Sequence, residues 1–521
     1  ASLDRQLSTL QRAGLVIETA RTPEREYAFR HELTRDAAYA SVLRRRRRQF
    51  HRGVANAMEE LLEDRIEEQA HRLAHHFSEA MDKERGLKYS TIAGDHALRM
   101  YANSEAADHY RRAMDLAKTM DASSENLIYL CSSRATALQE SARFEDLIDH
   151  CKEFEALAIE HGDTGLELAS LVPQAIAHST YTAVRDQQKG EEITQRTLEL
   201  ARSVNDPRAE SKALWLLLLL HSYGSAEFDK AIEYGLQSLS IAREHSFTEE
   251  EAFNLNDLGR AYHEIGDMDR AIELGTEARE LWVQLNNKPM LVDNYVASAM
   301  SYYETGNLTA CLENTRFAIE LSLETGNLWG QAGALGAAVL PHLDMGEIER
   351  FIDTGLRSME LVDQIDMGTF EVALKAILGW GCGTVGQIGE GLEHLKTAEL
   401  DDGSVESVEF NWFAHIITAY LHLLKGDTDR ANDCIVKAYG NLDMNEPKSS
   451  FGIYFGAFQF LPATVNGEVL WLLGKHEKLR DFAESSRQLM ESRQNRIFAL
   501  EMMRLKGQAE FAIGLYDEAR K

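Results

Sequence analysis

Gly266, Gly306, Gly346, Gly386 and Gly426 are each forty residues apart. Gly474 follows after one longer interval, and Gly514 comes forty after that. Five residues beyond each of the first five stand Ala271, Cys311, Phe351, Gly391 and Ala431. Ala231 lies forty before Ala271, with no glycine to mark its turn. A fixed period of this size means one supersecondary unit repeated, each copy burying its apolar face against the next. It argues against a globule around a single core, and it carries almost no information about a reaction.

One copy runs from Leu255 to Ala278. Leu255, Leu258 and Tyr262 are three and four apart and share one helix face. Gly259 leaves room on that face for a neighbour, and Gly266-Asp267 ends the helix with a residue suited to a left-handed cap. Ala271 and Ala278, seven apart, give a second helix a surface that permits close approach. In residue types and order this hairpin resembles the tetratricopeptide repeat (TPR). The resemblance implies an all-α, right-handed α-α superhelix, a TPR-like solenoid.

Composition agrees. Apolar residues make up 44% of the chain and prolines number only 7, as long helices require. The formal charge is -29, unevenly placed: residues 1–60 hold twelve Arg against eight Asp and Glu, and the remainder is strongly acidic. An acidic array repels a phosphate backbone, so nucleic acid is not an expected partner. The run Leu214–Leu220 is too short to cross a bilayer, so no membrane partner is expected either. The 5 cysteines are scattered and lack a C-x-x-C pair, which fits free thiols in a reducing, cytoplasmic compartment. The chain opens without Met and stops early in a second helix after Gly514, so a fragment of a larger protein is expected.

Residues 3–13 read as an amphipathic helix closed by Gly14. Residues 15–19 and 26–30 alternate like half-buried strands, with Thr22-Pro23-Glu24 as the turn between them. Helix then β-hairpin is the end of a winged-helix unit. Next come Phe29-Arg30-His31-Glu32-Leu33, Asp36-Ala37-Ala38-Tyr39, Leu43, five arginines from Arg44 to Arg48, and Phe50-His51. This stretch resembles signal-transduction ATPases of the STAND type, in which an F-R-H-x-L…A-x-Y…L…R-R…H pattern follows the winged helix and leads into TPR-like helices. The pattern occurs in bacterial adenylate/guanylate cyclases and large LuxR-type regulators of that architecture. Phe50 departs from the Leu of the pattern. The likeness covers about residues 1–118 and implies an upstream nucleotide-binding module. The expected domains are a winged-helix remnant (1–30), linker helices with the basic run (31–66) and a repeat array of about ten to eleven hairpins (67–521).

Smaller signals complete the map. Met81-Asp82, Ala142-Arg143-Phe144, Lys189-Gly190 and Ser225-Ala226 read as turns, and Asn103 as the cap of a helix. Asp401–Val405 and Asp443–Ser450 read as loops. The aromatic-rich piece Phe451–Pro462 fills the one lengthened interval and reads as irregular.

No catalytic set is legible. Gly474-Lys475 is followed by His476 and has no glycine five residues before Gly474, so it is no P-loop. His71 and His75 are four apart beside His76, but residue 72 is Arg and no third ligand is apparent. The pair therefore reads as structural, with no metal and no cofactor expected. Arg44–Arg48 reads as a solvated helix face, because a lone basic run is a weak motif.

A TPR-like groove receives positions two, five, nine and twelve of each first helix. From Ala252 these are Phe253, Asn256, Arg260 and His263. One repeat on they are Asp293, Val296, Met300 and Tyr303, and further on they include Leu340, Trp380, Phe413, Ile416 and Tyr420. The groove thus runs from polar to apolar and aromatic. The apolar part is either a binding surface or a core closed by tight coiling. The candidate ligand-facing residues are Asn256, Arg260, His263, Met300, Tyr303, Trp380, Phe413 and Tyr420. The expected function is non-enzymatic: a scaffold that binds a protein or peptide in its groove, as the sensor or regulatory arm of a STAND-like protein. The alternatives are a free-standing TPR adaptor and the TPR region of an enzyme whose catalytic domain lies outside this chain.

Overall fold

The computed structural model describes residues 2–20, 25–62, 65–120, 122–180, 182–223, 227–365, 368–398, 405–439 and 461–520. Two compact units divide at Ile193 and Thr194. The first begins with α1 (Ser2–Arg12) and the strands β1 (Val16–Ala20) and β2 (Glu26–Phe29). The strands pair antiparallel with Val16 opposite Phe29, and the register breaks between Glu18 and Ala20. The turn at Thr22-Pro23-Glu24 lies outside the described residues. Then come α2 (Glu32–Ser41), α3 (Arg44–Leu61), α4 (Ile66–Glu79), α5 (Lys83–Arg99), α6 (Asn103–Lys118), α7 (Ser124–Glu140), α8 (Phe144–His161) and α9 (Thr164–Ser179). The division falls inside α10 (Gln187–Val204). Ala55 of α3 packs with Leu73, Phe77 and Tyr89, and a larger core joins Tyr110, Met114, Leu138, Leu147 and Phe154.

The second unit continues with α11 (Pro207–Tyr223), α12 (Phe228–Glu244), α13 (Thr248–Ile265), α14 (Met268–Gln284), α15 (Lys288–Glu304), α16 (Leu308–Thr325), α17 (Leu328–Asp344) and α18 (Ile348–Gln364). It ends with α19 (Gly368–Thr384), α20 (Ile388–Leu395), α21 (Val405–Leu424), α22 (Thr428–Tyr439), α23 (Leu461–Leu472), α24 (His476–Ser492), α25 (Arg496–Ala512) and α26 (Tyr516–Ala519). Antiparallel helices pair and each pair stacks on the next. Leu255 and Leu258 are fully buried, each contributing about 1.5–3 kcal/mol. A Cβ on Gly259 would sit 3.2 Å from the Ala271 carbonyl oxygen, so α13 and α14 touch where the glycine allows it.

All seven periodic glycines have positive φ and turn one helix into the next. At Gly266 the N–H donates to His263 O and the Asp267 N–H donates to Tyr262 O, both at 2.9 Å. Asp267 Oδ1 then accepts from the Arg270 N–H at 3.2 Å, opening α14. At this turn one left-handed residue and one capping Asp reverse the chain; after Gly346, Gly386, Gly474 and Gly514 the left-handed residue does so without a side-chain cap. Asn287, Asn307 and Asn327 cap α15, α16 and α17 as Asp267 caps α14. The turns between repeats put Ser246, Asn286, Gly326 and Gln494 in the left-handed position; Asn287, Asn327 and Asn495 cap the helix after the last three, whereas Phe247 after Ser246 gives no side-chain bond.

Three sequence readings are corrected. Lys189-Gly190 is not a turn but the opening of α10, where Asp186 Oδ1 accepts from the Lys189 N–H at 3.2 Å. Gly190 serves close packing instead: a Cβ there would lie 2.9 Å from Ser179 Oγ and 3.1 Å from the His178 carbonyl oxygen. Asn103 is the first residue of α6 rather than its cap; Ala102 holds the cap position with no side-chain bond. Leu461 and Pro462 open α23, where proline loses nothing by lacking an N–H. Residues 451–460, 401–404, 443–450 and Ser225-Ala226 lie outside the described residues. Among the described residues no helix is long and apolar enough to cross a membrane. All 5 cysteines are free, and Cys131, Cys151, Cys311 and Cys382 are buried.

Candidate functional site

The polar half of the expected groove forms a ladder along α11, α13 and α15. Arg260 pairs with Asp293 (Nη2 to Oδ1, 2.5 Å) and donates to Tyr223 Oη at 3.4 Å. Asn256 Nδ2 donates to Asp293 Oδ2 at 3.1 Å and Asn294 Nδ2 donates to Asn256 Oδ1 at 3.0 Å. Behind them Trp215 Nε1 donates to Asp257 Oδ2 at 2.7 Å. His263 Nδ1 lies 2.9 Å from Ser301 Oγ, and its Nε2 is 3.5 Å from Glu304 Oε1. The Arg260 side chain keeps 32% of its surface open, whereas Asn256 and His263 are buried.

The charges of this ladder are perturbed together. Burial lifts Asp257 to about 6 and Glu264 to about 7. Burial would lower His263, but the Glu304 carboxylate outweighs it and raises the imidazole above its ordinary value. Burial works against the Arg260 guanidinium too, and Asp293 more than restores it. Perturbed groups gathered on one face are a mark of functional sites, though structural networks do the same. Tyr223, Asp257, Glu264 and Glu304 were not singled out by the repeat positions, which name four places per helix.

The apolar half is core rather than open surface. Tyr303, Leu340, Trp380, Phe413, Ile416 and Tyr420 are all buried within one cluster that reaches α25; only Met300 is half-open. Trp380 and Tyr420 lie ring to ring at 4.8 Å. The physical reason is that the unit returns on itself. The Tyr303 ring meets Phe498 edge-on at 6.1 Å, and the Asp269 N–H donates to Gln494 Oε1 at 3.2 Å. A Cβ on Gly266 would run into the backbone of Arg493. So the turn between α24 and α25 lies against the turn between α13 and α14.

In the first unit the structure brings His51, not His71, to His75 and His76. His51 Nδ1 is 2.9 Å from His76 Nδ1, and its Nε2 is 3.0 Å from Tyr39 Oη, which also reaches Glu79 Oε2 at 3.2 Å. One nitrogen from each of His51, His75 and His76 falls within 4.8 Å of the others. Burial first, then His51 and His75, lower His76 to about 4. His75 and His76 line a cavity of about 760 Å³ that His71, His96 and His109 also face. Of the basic run, Arg47 lies over the Tyr39 ring at 4.7 Å and the other four arginines are exposed.

Paired helices, left-handed turns and interlocking apolar faces define a TPR-like α-solenoid. No family model matches the sequence, and no curated protein matches it. Solved structures resemble it at low identity. The Rap protein complexed with competence and sporulation factor covers 68% of this chain and 96% of its own, with 12% identity and a TM-score of 0.46. NprR in complex with its cognate peptide NprX covers 70% and 99%, with 14% identity and a TM-score of 0.48. A Signal Transduction ATPase with Numerous Domains protein with a tetratricopeptide repeat sensor, from Pyrococcus horikoshii, covers 69% and 59%, with 15% identity and a TM-score of 0.41. Likeness at this level says nothing about what this chain binds.

Proposed function

We propose that this chain is a non-catalytic binding scaffold, and that the polar ladder of α11, α13 and α15 receives a peptide or protein segment bearing a carboxylate. The observation that carries the reading is Arg260: a guanidinium held by Asp293 and Tyr223, yet about a third open. A ligand carboxylate that took the free side of this planar fork would gain bidentate, charge-assisted hydrogen bonds. Asn256, His263 and the half-open Met300 fix the walls of that site, and Tyr303, Trp380, Phe413 and Tyr420 support it from the packed core rather than touching the ligand.

The chain acts, on this reading, as the sensor or regulatory arm of a STAND-like signalling protein. Residues 1–30 would end a winged helix, 31–66 link, and 67–521 form the sensing array. The F-R-H-x-L pattern and the arginine run support that placement. A ligand that prefers one arrangement of the arm would shift the equilibrium of an attached nucleotide-binding module. Panning a displayed peptide library against the 521-residue chain tests the binding claim. Enriched peptides should share an acidic position, and Arg260→Glu should lose them while keeping helical content. Equal capture by Arg260→Glu moves the site elsewhere. The sequence encoded upstream tests the regulatory claim separately: a P-loop there supports it, and its absence favours a free-standing adaptor.

A further inference from the structure

We propose that His51, His75 and His76 form a binding site for one divalent transition-metal ion, with zinc as the ion the ligand set suits. The site is independent of the ladder in the second unit. Its three imidazoles come from two helices, His51 from α3 and the adjacent His75 and His76 from α4, and the two helices are held together where Ala55 packs with Leu73 and Phe77. The ring centroids are 5.1 to 5.6 Å apart.

The hydrogen bonds around His51 fix which nitrogen is free. Tyr39 Oη has one proton, and its acceptor is the Glu79 carboxylate at 3.2 Å. A carboxylate accepts and does not donate, so the phenol oxygen must accept from His51 Nε2, 3.0 Å away. The neutral His51 ring then carries its proton on Nε2 and presents a bare lone pair on Nδ1. In the metal-free chain that lone pair accepts from His76 Nδ1–H, 2.9 Å away; on binding, the ion takes the place of this proton and the neutral His76 ring carries its proton on Nε2. A carboxylate, a phenol and an imidazole in sequence are the outer-shell arrangement that orients a metal-binding histidine.

The dimensions suit a small ion. Two imidazole nitrogens on tetrahedral zinc stand about 3.3 Å apart, for Zn–N bonds of about 2.0–2.1 Å. His51 and His76 need to part by only a few tenths of an ångström, and His75 is exposed, so its ring can turn in. An all-nitrogen set favours zinc, copper or nickel over magnesium or calcium, which require oxygen. Arg47 and Arg72 bring positive charge near the trio and oppose the ion, whereas Glu79 favours it. Since His75 and His76 line the cavity shared with His71, His96 and His109, the fourth coordination position opens onto that cavity and takes water or a ligand atom. His71, the partner that spacing along α4 points to, is not one of the three.

The test is a calorimetric titration of the untagged 521-residue chain with zinc chloride, with magnesium chloride as control, alongside cobalt(II) absorption spectra. One zinc per chain and a cobalt spectrum of tetrahedral type are expected, with no magnesium binding. His75→Gln and His76→Gln should each weaken zinc at least 100-fold, and His71→Gln should leave it unchanged. Tyr39→Phe should weaken zinc about 10- to 100-fold without changing the melting temperature of the metal-free chain. Should His51→Gln fail to fold, the exposed His75 position decides. Absence of zinc binding overturns the site, as does zinc affinity unchanged in both His75→Gln and His76→Gln.

Discussion

The polar and apolar halves of the second unit occupy equivalent places in consecutive repeats and meet opposite fates. Arg260 on α13 and Trp380 on α19 both stand on the groove-facing side expected of a first helix. Arg260 keeps a third of its surface, while Trp380 is packed against Tyr420. Repeat position sets which way a side chain points. Whether it then meets water depends on what the rest of the chain brings opposite. In the polar half Asn256 and His263 are buried on hydrogen-bond partners, and Arg260 alone of the three stays part-open, because a guanidinium is costly to bury completely. Apolar surface in the other half has no such cost and closes onto α25.

The largest test of this contrast is Trp380→Ala, which should cost about 3–5 kcal/mol, read by chemical denaturation, because it empties a packed site. A cost under about 1 kcal/mol would mean the indole is not core. Next comes Gly266→Ala, expected to cost about 3 kcal/mol by the same readout. It combines left-handed strain of about 1–2 kcal/mol with a collision against Arg493. Gly346→Ala, with open space at the same repeat position, should show the strain alone. Equal losses would break the claim that α13–α14 and α24–α25 meet.

The pH response comes third. Asp257, Glu264 and His263 all hold their protons more tightly folded than unfolded. Their contribution is therefore complete at low pH. It is lost for Asp257 as pH rises from about 4 through 6, for Glu264 from about 4.5 through 7, and for His263 above about 6.5. The second unit should lose on the order of 2 kcal/mol between about pH 5 and 7.5, followed by thermal melting. Asp257→Asn should flatten that slope; an unchanged slope places the titration elsewhere. Smallest is Arg260→Met, at about 1 kcal/mol and shrinking in high salt, since the pair with Asp293 is part-open.

The helices and their turns were legible because glycine has a physical signature: seven spaced glycines became seven left-handed turns. The alternate turns were not, since Ser246, Asn286 and Gln494 take the same conformation without being reserved for it. Gly190 misled for the opposite reason, being needed for close packing rather than for its backbone freedom. Of the candidate site, the repeat frame named Asn256, Arg260, His263 and Asp293; the Asn294, Tyr223, Ser301 and Glu304 partners that join them into one ladder lie outside that frame. The closing of the apolar half was not legible, because Tyr303 and Phe498 are far apart in sequence and meet only through the accumulated turn of many hairpins. His51 escaped likewise: spacing on α4 offered His71, whereas contact between α3 and α4 supplied the real neighbour.

The meeting of Gly266 with Arg493 changes how such an array comes apart. In an open stack each repeat leans only on its neighbours, so an end can fray while the middle stands. Here the bond from the Asp269 amide to Gln494 fastens segments 225 positions apart. Trimming the tail from α24 onward would therefore speed amide exchange in α13 and α15, far upstream, and the unit would behave as a hoop, not a ladder.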